Sequence, residues 1–177
     1  CDGASNIIRA VQEVCPEAII QRCTFHIANE ICTWLTKKPK SDAARELRQL
    51  AHYLSAVENH SQAQLWLREF IDWYNKYEEY INEKSIDEIS GRWWYTHKML
   101  HRSCTHIKRA IPNMFNYTRY ANIPKTSNSI ESFFGHLKDH LRLHRGLSNE
   151  HFKDFVKWYL YLQSNQGKIA QKYEREK

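Results

Sequence analysis

The chain is 177 residues long and 42% hydrophobic, which is long enough for one packed domain and short for two. It contains no apolar run that could cross a bilayer and no signal-peptide pattern, so we expect a soluble protein with no membrane partner. The net charge of +6 favours an anionic partner, and five unevenly spaced cysteines favour reduced thiols in a cytosol over a secreted disulfide scaffold.

Five glycines and four prolines are few for this length, so the sequence predicts a mostly helical chain. The first helix starts at Ser5 or Asn6 and ends before Pro16. The segment EAIIQRC, residues 17–23, is β-branched and too short for a helix, and it is the one predicted strand. Because one strand cannot form a sheet, we expect its partners upstream of Cys1 and interpret the chain as a fragment that lacks most of its sheet.

Several helices follow along the chain. A second helix carries Ile27, Ile31, Trp34 and Leu35. Two long helices follow with apolar stripes at helical spacing, the first with Leu47, Leu50, Leu54 and Val57 and the second with Trp66, Phe70, Trp73, Tyr74, Tyr77 and Ile81. We expect the aromatic residues of these stripes to pack in the core. The next helix follows the segment GRWWY and ends near Ala110, and residues 111–125 are predicted as loop or short strand. The last two helices span roughly residues 128–143 and 149–163, and a flexible tail follows.

The positive charge is concentrated in one segment. Residues 92–130 contain seven Lys or Arg and no Asp or Glu, so this segment accounts for the whole surplus, whereas residues 42–90 hold ten acidic and five basic residues. A basic, acid-free segment that also contains Trp, Tyr and His suits a phosphate backbone with stacked bases. The alternative is a solvated surface that is basic without a partner.

The predicted helix of residues 128–143 carries a charged stripe beside its apolar face. The flank of that face holds five residues: Glu131, Gly135, Lys138, Arg142 and Arg145. Such a stripe would let a polyanion approach at Gly135, with a metal ion at Glu131. The alternative is structural, because Asn128 as N-cap with Glu131 three residues later is close to a capping box.

Two further groups could carry chemistry. Asp2 precedes a glycine and a helix start, so it is either a turn residue or a ligand at the end of a strand. Cys23 and His26 follow the predicted strand; two ligands are too few for a structural zinc site, and we expect them to pack and hydrogen-bond instead. The sequence has no serine or cysteine nucleophile arrangement and no phosphate-binding glycine loop.

Both ends of the chain resemble one known family. The segment CDGASNIIRAVQEVCPEAIIQRCTFHI resembles the region of the second catalytic aspartate in Mutator-like transposases and their bacterial insertion-sequence relatives. The segment KTSNSIESFFGHLKDHLRLHRGLS is similar to the block that carries the glutamate of the same family's Asp-Asp-Glu triad. The helices in between match the all-helical insertion of this family.

The resemblance implies a mostly α chain (an α+β fragment) with part of a ribonuclease H-like core. Residues 1–36 would be the second half of that core, 37–123 the helical insertion, 124–163 the glutamate-bearing helix and the C-terminal helix, and 164–177 a flexible tail. Asp2 and Glu131 would be the second and third acids, which bind two Mg²⁺ or Mn²⁺ ions, and Cys23 and His26 would match the Cys-x-x-His signature. The first aspartate would lie upstream, so the fragment would be inactive alone.

The function implied is metal-dependent DNA strand cleavage and transfer at transposon ends, by a homodimer or larger assembly in a bacterial cytoplasm. Trp93 or Trp94 would stack on a base near the cleaved end, and we expect the other to pack in the core. The predicted DNA-binding residues are Arg92, Trp93, Trp94, Lys98, Arg102, Lys108, Arg109, Asn128, Lys138, Arg142 and Arg145. The alternatives are a ribonuclease H-like nuclease or resolvase, and a catalytically silent DNA-binding or interaction module.

Overall fold

The computed structural model of the protein describes residues 1–175, and side chains for residues 1–164. Within them, seven α-helices and one two-stranded sheet follow in the order α1 (Ser5–Val14), α2 (Thr24–Trp34), α3 (Asp42–Tyr53), α4 (His60–Asn82), β1 (Lys84–Ile86), β2 (Trp93–Tyr95), α5 (Lys98–Met114), α6 (Asn128–Leu143) and α7 (Asn149–Arg175). Short 3₁₀ helices cover Leu54–Ala56 and Asn116–Thr118. The prediction of a mostly α chain with a small β component is therefore confirmed.

The chain divides into two compact units, of which the first is Cys1–Ser127 and the second begins at Asn128. None of the helices in the described part of the chain is both long and apolar enough to cross a membrane. The ribonuclease H-like core and the boundaries predicted at residues 36, 123 and 163 stay predictions.

The core of the first unit lies between α2, α3, α4 and α5, and the predicted apolar stripes pack in it or against it, except for Trp34, which is half-buried outside it. Trp66, Phe70 and Trp73 are 3%, 2% and 4% exposed, which confirms the aromatic stripe of α4 as core. Two of these side chains also form hydrogen bonds to the backbone of α3. Trp66 Nε1 donates to the carbonyl of Leu50 (2.8 Å), and Trp73 Nε1 donates to the carbonyl of Ala43 (3.0 Å). The indole N–H groups are thus buried with a partner, as buried polar groups require.

The predicted strand at residues 17–23 is wrong, because Glu17 lies in a turn and residues 18–23 belong to no strand of the sheet. Instead, backbone groups near its end form single hydrogen bonds to two different parts of the chain, residue 1 and α5. The N–H of Arg22 donates to the carbonyl of Asn113 (2.8 Å), and Cys1 exchanges hydrogen bonds with Gln21 and Cys23 (both 2.7 Å), in the pattern of parallel neighbours. The β-branched run therefore predicted a strand in a segment that forms isolated backbone hydrogen bonds instead.

The sheet lies instead in a hairpin that the sequence did not predict. β1 and β2 pair antiparallel, with Ile86 opposite Trp93 and Lys84 opposite Tyr95. Asp87 forms the turn, since its Oδ1 accepts hydrogen bonds from the N–H groups of Ile89 (3.0 Å) and Ser90 (2.7 Å). These bonds lower the pKa of Asp87, so the turn is held by a carboxylate at neutral pH.

Two predicted helix ends are also corrected. α5 continues to Met114 although Pro112 lies inside it, because Met114 is fully buried and its packing outweighs the backbone hydrogen bond that proline cannot make. α7 runs to Arg175, past the end predicted at Gln163. A flexible tail was predicted for residues 164–177. The side chains of residues 165–177 and the whole of residues 176 and 177 lie outside the described part of the chain, so this prediction is not tested.

In the second unit, α6 has the bounds that the sequence predicted. Its aromatic side chains contact those of α7, with 5.5 Å between the ring centres of Phe133 and Tyr159 and 5.7 Å between His140 and Tyr159. Leu137 is the buried residue of the predicted apolar face, whereas Ile130 and Phe134 are 50% and 44% exposed.

Candidate functional site

An open cleft of about 720 Å³ lies in the first unit, where the start of the chain meets α2, β2 and α5. Its lining residues are Asp2, Gly3, Ala4, Arg22, His26, Glu30, Trp34, Tyr95, Lys98, His101, Arg102, Thr105, His106 and Arg109. Five of the predicted site residues thus come together on its wall: Asp2, His26, Lys98, Arg102 and Arg109. The acid-free segment and the Asp-Gly-Ala segment, far apart in sequence, form one surface.

The positive charge of the cleft comes from arginine and lysine. Burial lowers the pKa of His106, more than the neighbouring Glu30 raises it, and burial together with Lys108 lowers the pKa of His101. Both shifts favour the neutral imidazole at physiological pH. A cleft with fixed cations and neutral histidines suits phosphate groups at physiological pH.

Asp2 is exposed at the mouth of this cleft, and it is also a turn residue. Its Oδ1 accepts a hydrogen bond from the backbone N–H of Ala4 (2.9 Å), just before α1 begins. The residue before it, Cys1, is held beside Gln21 and Cys23 by the two backbone hydrogen bonds described above. The structural and the functional interpretation of Asp2 are thus compatible, because the turn presents the carboxylate at the cleft.

Arg22 is a cleft residue that the sequence analysis missed. It is 7% exposed, and burial lowers its pKa, an effect that Glu30 and Asp2 partly offset. Its guanidinium lies against Gly3, since a Cβ atom on Gly3 would be 2.0 Å from Cζ of Arg22. Gly3 also has φ +98°, which disfavours any other residue. Glycine is therefore required at position 3 for two reasons: the backbone is left-handed there, and a side chain would clash with the guanidinium of Arg22.

Two aromatic pairs, also missed, form part of the wall. The Arg102 guanidinium lies 4.1 Å from the ring centre of Trp34, and the ring of Tyr95 stacks on that of His101 at 3.5 Å. His106 contacts Trp34 edge to face and pairs with Glu30 (3.1 Å). The rings hold the side chains of α5 in fixed orientations. No sequence signal indicated which faces of α2 and α5 meet.

Trp93 and Trp94 lie on β2 and face opposite sides of the hairpin, because side chains alternate along a strand. They are 55% and 48% exposed, so the prediction that one of them packs in the core is wrong. Trp93 shares the face of Tyr95, its ring centre 5.5 Å away, and Lys84 Nζ lies 4.3 Å from the Trp93 ring centre. Since Tyr95 lines the cleft, Trp93 is on the cleft side.

The remaining predicted DNA-binding residues do not line this cleft. Arg92 is exposed next to β2, and Lys108 lies with Nζ 3.2 Å from the ring centre of Tyr74. The others are on or after α6 in the second unit, together with Glu131: Asn128, Lys138, Arg142 and Arg145. Arg142 pairs with Asp139 at 3.4 Å, and a Cβ on Gly135 would meet no atom within 4 Å, so the stripe is open at the predicted position.

Cys23 and His26 contact each other. Cys23 is 1% exposed, and burial alone would raise the pKa of its thiol. Hydrogen bonds from Ser127 and from His26 outweigh burial and lower the pKa of Cys23 to about 7. In the part of the chain that the structure describes, no three His, Cys, Asp or Glu side chains form a group that could hold a metal ion.

Acidic residues line a different groove. It has a volume of about 360 Å³, lies between α3 and α4, and contains Glu46, Glu69 and Asp72 with a single cation, Lys76. The basic and acidic segments of the sequence thus form separate surfaces of the first unit, the cleft and this groove.

Comparison with known proteins gives one match. The model of a family described as "Transposase, Mutator family" matches residues 1–90. Neither the curated proteins nor the solved structures contain a match to the chain. The matched region includes Asp2, Gly3, Arg22, Cys23 and His26, and it ends before the hairpin strand that carries the two tryptophans.

Proposed function

The chain belongs to the Mutator family of transposases, and from this premise we propose that it cleaves DNA at the ends of a mobile element and joins the cut strand to target DNA. The observation that carries the proposal is the cleft, where Asp2 lies among Arg22, Lys98, Arg102 and Arg109. An exposed carboxylate surrounded by cations suits a metal ion that meets a phosphate. The cations would bind the phosphates on either side of the reacting bond.

We further propose that Asp2 and Glu131 hold Mg²⁺ or Mn²⁺. The donor set fits, because carboxylate oxygens are the ligands that these hard cations prefer, and Asp2 is exposed where the cleft opens. The two residues belong to different units, and the third carboxylate of the triad is not assigned to a residue of this chain. When bound, the ions supply activation of water or of a 3′ hydroxyl and stabilise charge at the phosphorus.

The residues of this chain have separate roles in the proposed reaction. Arg102 and Arg109, on one side of α5, bind phosphate oxygens and set the register of the strand. Arg22 lies buried beneath the Asp2 turn and keeps it close to the start of α2. On α6, Lys138 and Arg142 bind the backbone of the DNA, and Gly135 lets it approach the helix.

Of the two adjacent tryptophans, we propose Trp93 as the one that stacks on a base, since it shares the cleft face with Tyr95. Replacing Trp93 with Ala is expected to weaken binding of a DNA end that carries an unpaired base by about 1–3 kcal/mol, the usual contribution of one stacked base. The matched control is Trp94→Ala, which removes an equally exposed indole from the opposite face. Fluorescence anisotropy with a labelled DNA end measures both. Equal losses in the two variants would contradict the assignment.

The proposed function itself is tested with the full-length protein and a labelled duplex that carries an element end. Two products are expected, a cleaved strand and a strand joined to target DNA, and both require a divalent ion. Cleavage without joining would indicate a nuclease or resolvase. Salt-sensitive binding without any metal-dependent product would indicate a catalytically silent DNA-binding module.

A further inference from the structure

Cys23 bonds to two residues that lie far apart in sequence, each of them just before a segment that carries a proposed metal ligand. Its backbone N–H donates to the carbonyl of Cys1 (2.7 Å), the residue before Asp2. Its sulfur accepts hydrogen bonds from Ser127, the residue before Asn128, where α6 begins. The backbone of Cys23 thus bonds to the residue before Asp2, and its side chain bonds to the residue before α6, the helix that carries Glu131.

The segment that leads into α6 is fixed at several points. Ser127 is itself 8% exposed, and the N–H of Thr24, next to Cys23, donates to the carbonyl of Lys125 (3.5 Å). The Lys125 ammonium donates to the carbonyl of Ser55, in the 3₁₀ helix after α3. Residues 125–127 are therefore held against two different elements of the first unit, at the position where that unit ends.

The sulfur of Cys23 differs from that of the other fully buried cysteine. Cys104 lies in the hydrophobic core at 2% exposure, and burial raises its pKa to about 11. Cys23 is equally buried, yet it accepts hydrogen bonds from a hydroxyl and an imidazole. The Cys104 side chain packs against apolar neighbours, whereas the Cys23 side chain holds polar partners.

We propose that Cys23 is a positioning residue, which holds residues 125–127, the segment that leads into α6, beside the Asp2 turn through its hydrogen bonds to Ser127 and Cys1. The inference rests on the proposed function, since it gives the anchored segment a purpose in metal binding. Hydrogen-bond partners that orient metal ligands typically change metal affinity or activity by about 10- to 100-fold when they are removed. A thiol in this position therefore affects catalysis without touching the DNA or the metal.

The test uses three variants of the full-length protein: Cys23→Ala, which removes the acceptor, Cys23→Ser, whose hydroxyl can accept the same hydrogen bonds, and Cys104→Ala as the matched control for a lost buried sulfur. Brief trypsin digestion without DNA or metal compares cleavage after Lys125 with cleavage after Arg45, which lies inside α3. A second measurement titrates Mg²⁺ and records the concentration that gives half-maximal strand cleavage.

Cys23→Ala is expected to increase cleavage after Lys125 about tenfold relative to Arg45, and to raise the half-maximal Mg²⁺ concentration about tenfold or more. Cys23→Ser is expected to restore most of both values, and Cys104→Ala to change neither by more than about twofold. Unchanged cleavage after Lys125 in Cys23→Ala would overturn the anchoring. Released Lys125 with an unchanged Mg²⁺ requirement would overturn the positioning role. If the wild-type protein gives no metal-dependent product, the proposed function is overturned, and the inference with it. The trypsin measurement needs neither DNA nor metal, so it still shows whether Cys23 anchors residues 125–127 in that case.

Discussion

Replacing Glu131 with Gln is expected to reduce metal-dependent strand cleavage by about a thousandfold or more while DNA binding stays nearly unchanged. The amide keeps the size of the side chain but removes the negative charge that, in the proposed mechanism, binds a divalent ion. Such an ion would contribute several kcal/mol of transition-state stabilisation, and each 1.36 kcal/mol corresponds to a factor of ten in rate. Asp2→Asn should have the same effect, because the proposal gives both carboxylates the same role.

The control for this experiment lies on the same helix. Asp139 is an exposed acid of α6 that pairs with Arg142, and Asp139→Asn changes the charge of the helix by the same amount. We expect its cleavage rate to stay within about threefold of the wild type, since exposed ion pairs contribute little. Single-turnover cleavage rates and anisotropy with the same DNA separate chemistry from binding. Undiminished cleavage by Glu131→Gln would rule out the role assigned to that residue.

Truncating Trp73 to Ala is expected to destabilise the first unit by about 3–5 kcal/mol. The indole is 4% exposed, stacks with Phe70 at 5.8 Å between ring centres, and donates to the carbonyl of Ala43. Its loss would leave a cavity and one fewer bond between α4 and α3. Because domains of this size are stable by only about 5–15 kcal/mol, this is a large share.

Urea unfolding followed by circular dichroism measures the loss. Trp158→Ala is the matched control, since this tryptophan of α7 is 63% exposed, and we expect a change within about 0.5 kcal/mol. A similar destabilisation in both variants would contradict the assignment of the α4 stripe to the core.

The helices of the first unit could be predicted because each has a period in its own sequence. The stripes of α2, α3 and α4 repeat every three to four residues, and packing against a neighbouring helix requires that spacing. Residues 17–23 show the limit of such local signals. Val, Ile and Thr favour extended backbone, but whether an extended segment pairs as a strand depends on neighbours that lie far away in sequence.

The hairpin was missed for a related reason. Its strands are three residues long, so alternation has no room to emerge, and its turn is held by Asp87 without the Asn-Gly or Asp-Gly pair that marks the commonest hairpins. As a consequence, the expectation that one of Trp93 and Trp94 packs in the core was incorrect. Their pleated arrangement on β2 nevertheless distinguishes the two more clearly than a helix would have done.

The charged residues of the candidate site could be predicted from the sequence, but the contacts that bring them together could not. The acid-free segment supplied Lys98, Arg102 and Arg109, and the motif supplied Asp2. Arg22, by contrast, is a cleft residue only because the Gly3 turn packs on it. Contacts of this kind depend on which helix faces meet, and no periodicity within a single segment reveals that.

The separation of the acidic α3–α4 groove from the basic cleft also bears on how fast DNA is captured. A molecule with opposite charges on two surfaces of one unit has a permanent dipole, which turns it during diffusion so that its basic side meets a polyanion first. The association rate should therefore fall steeply as added salt shortens the Debye length below about 10 Å, while encounters through the acidic surface remain unproductive. In this protein, the acids of α3 and α4 would help to select the orientation of the first encounter.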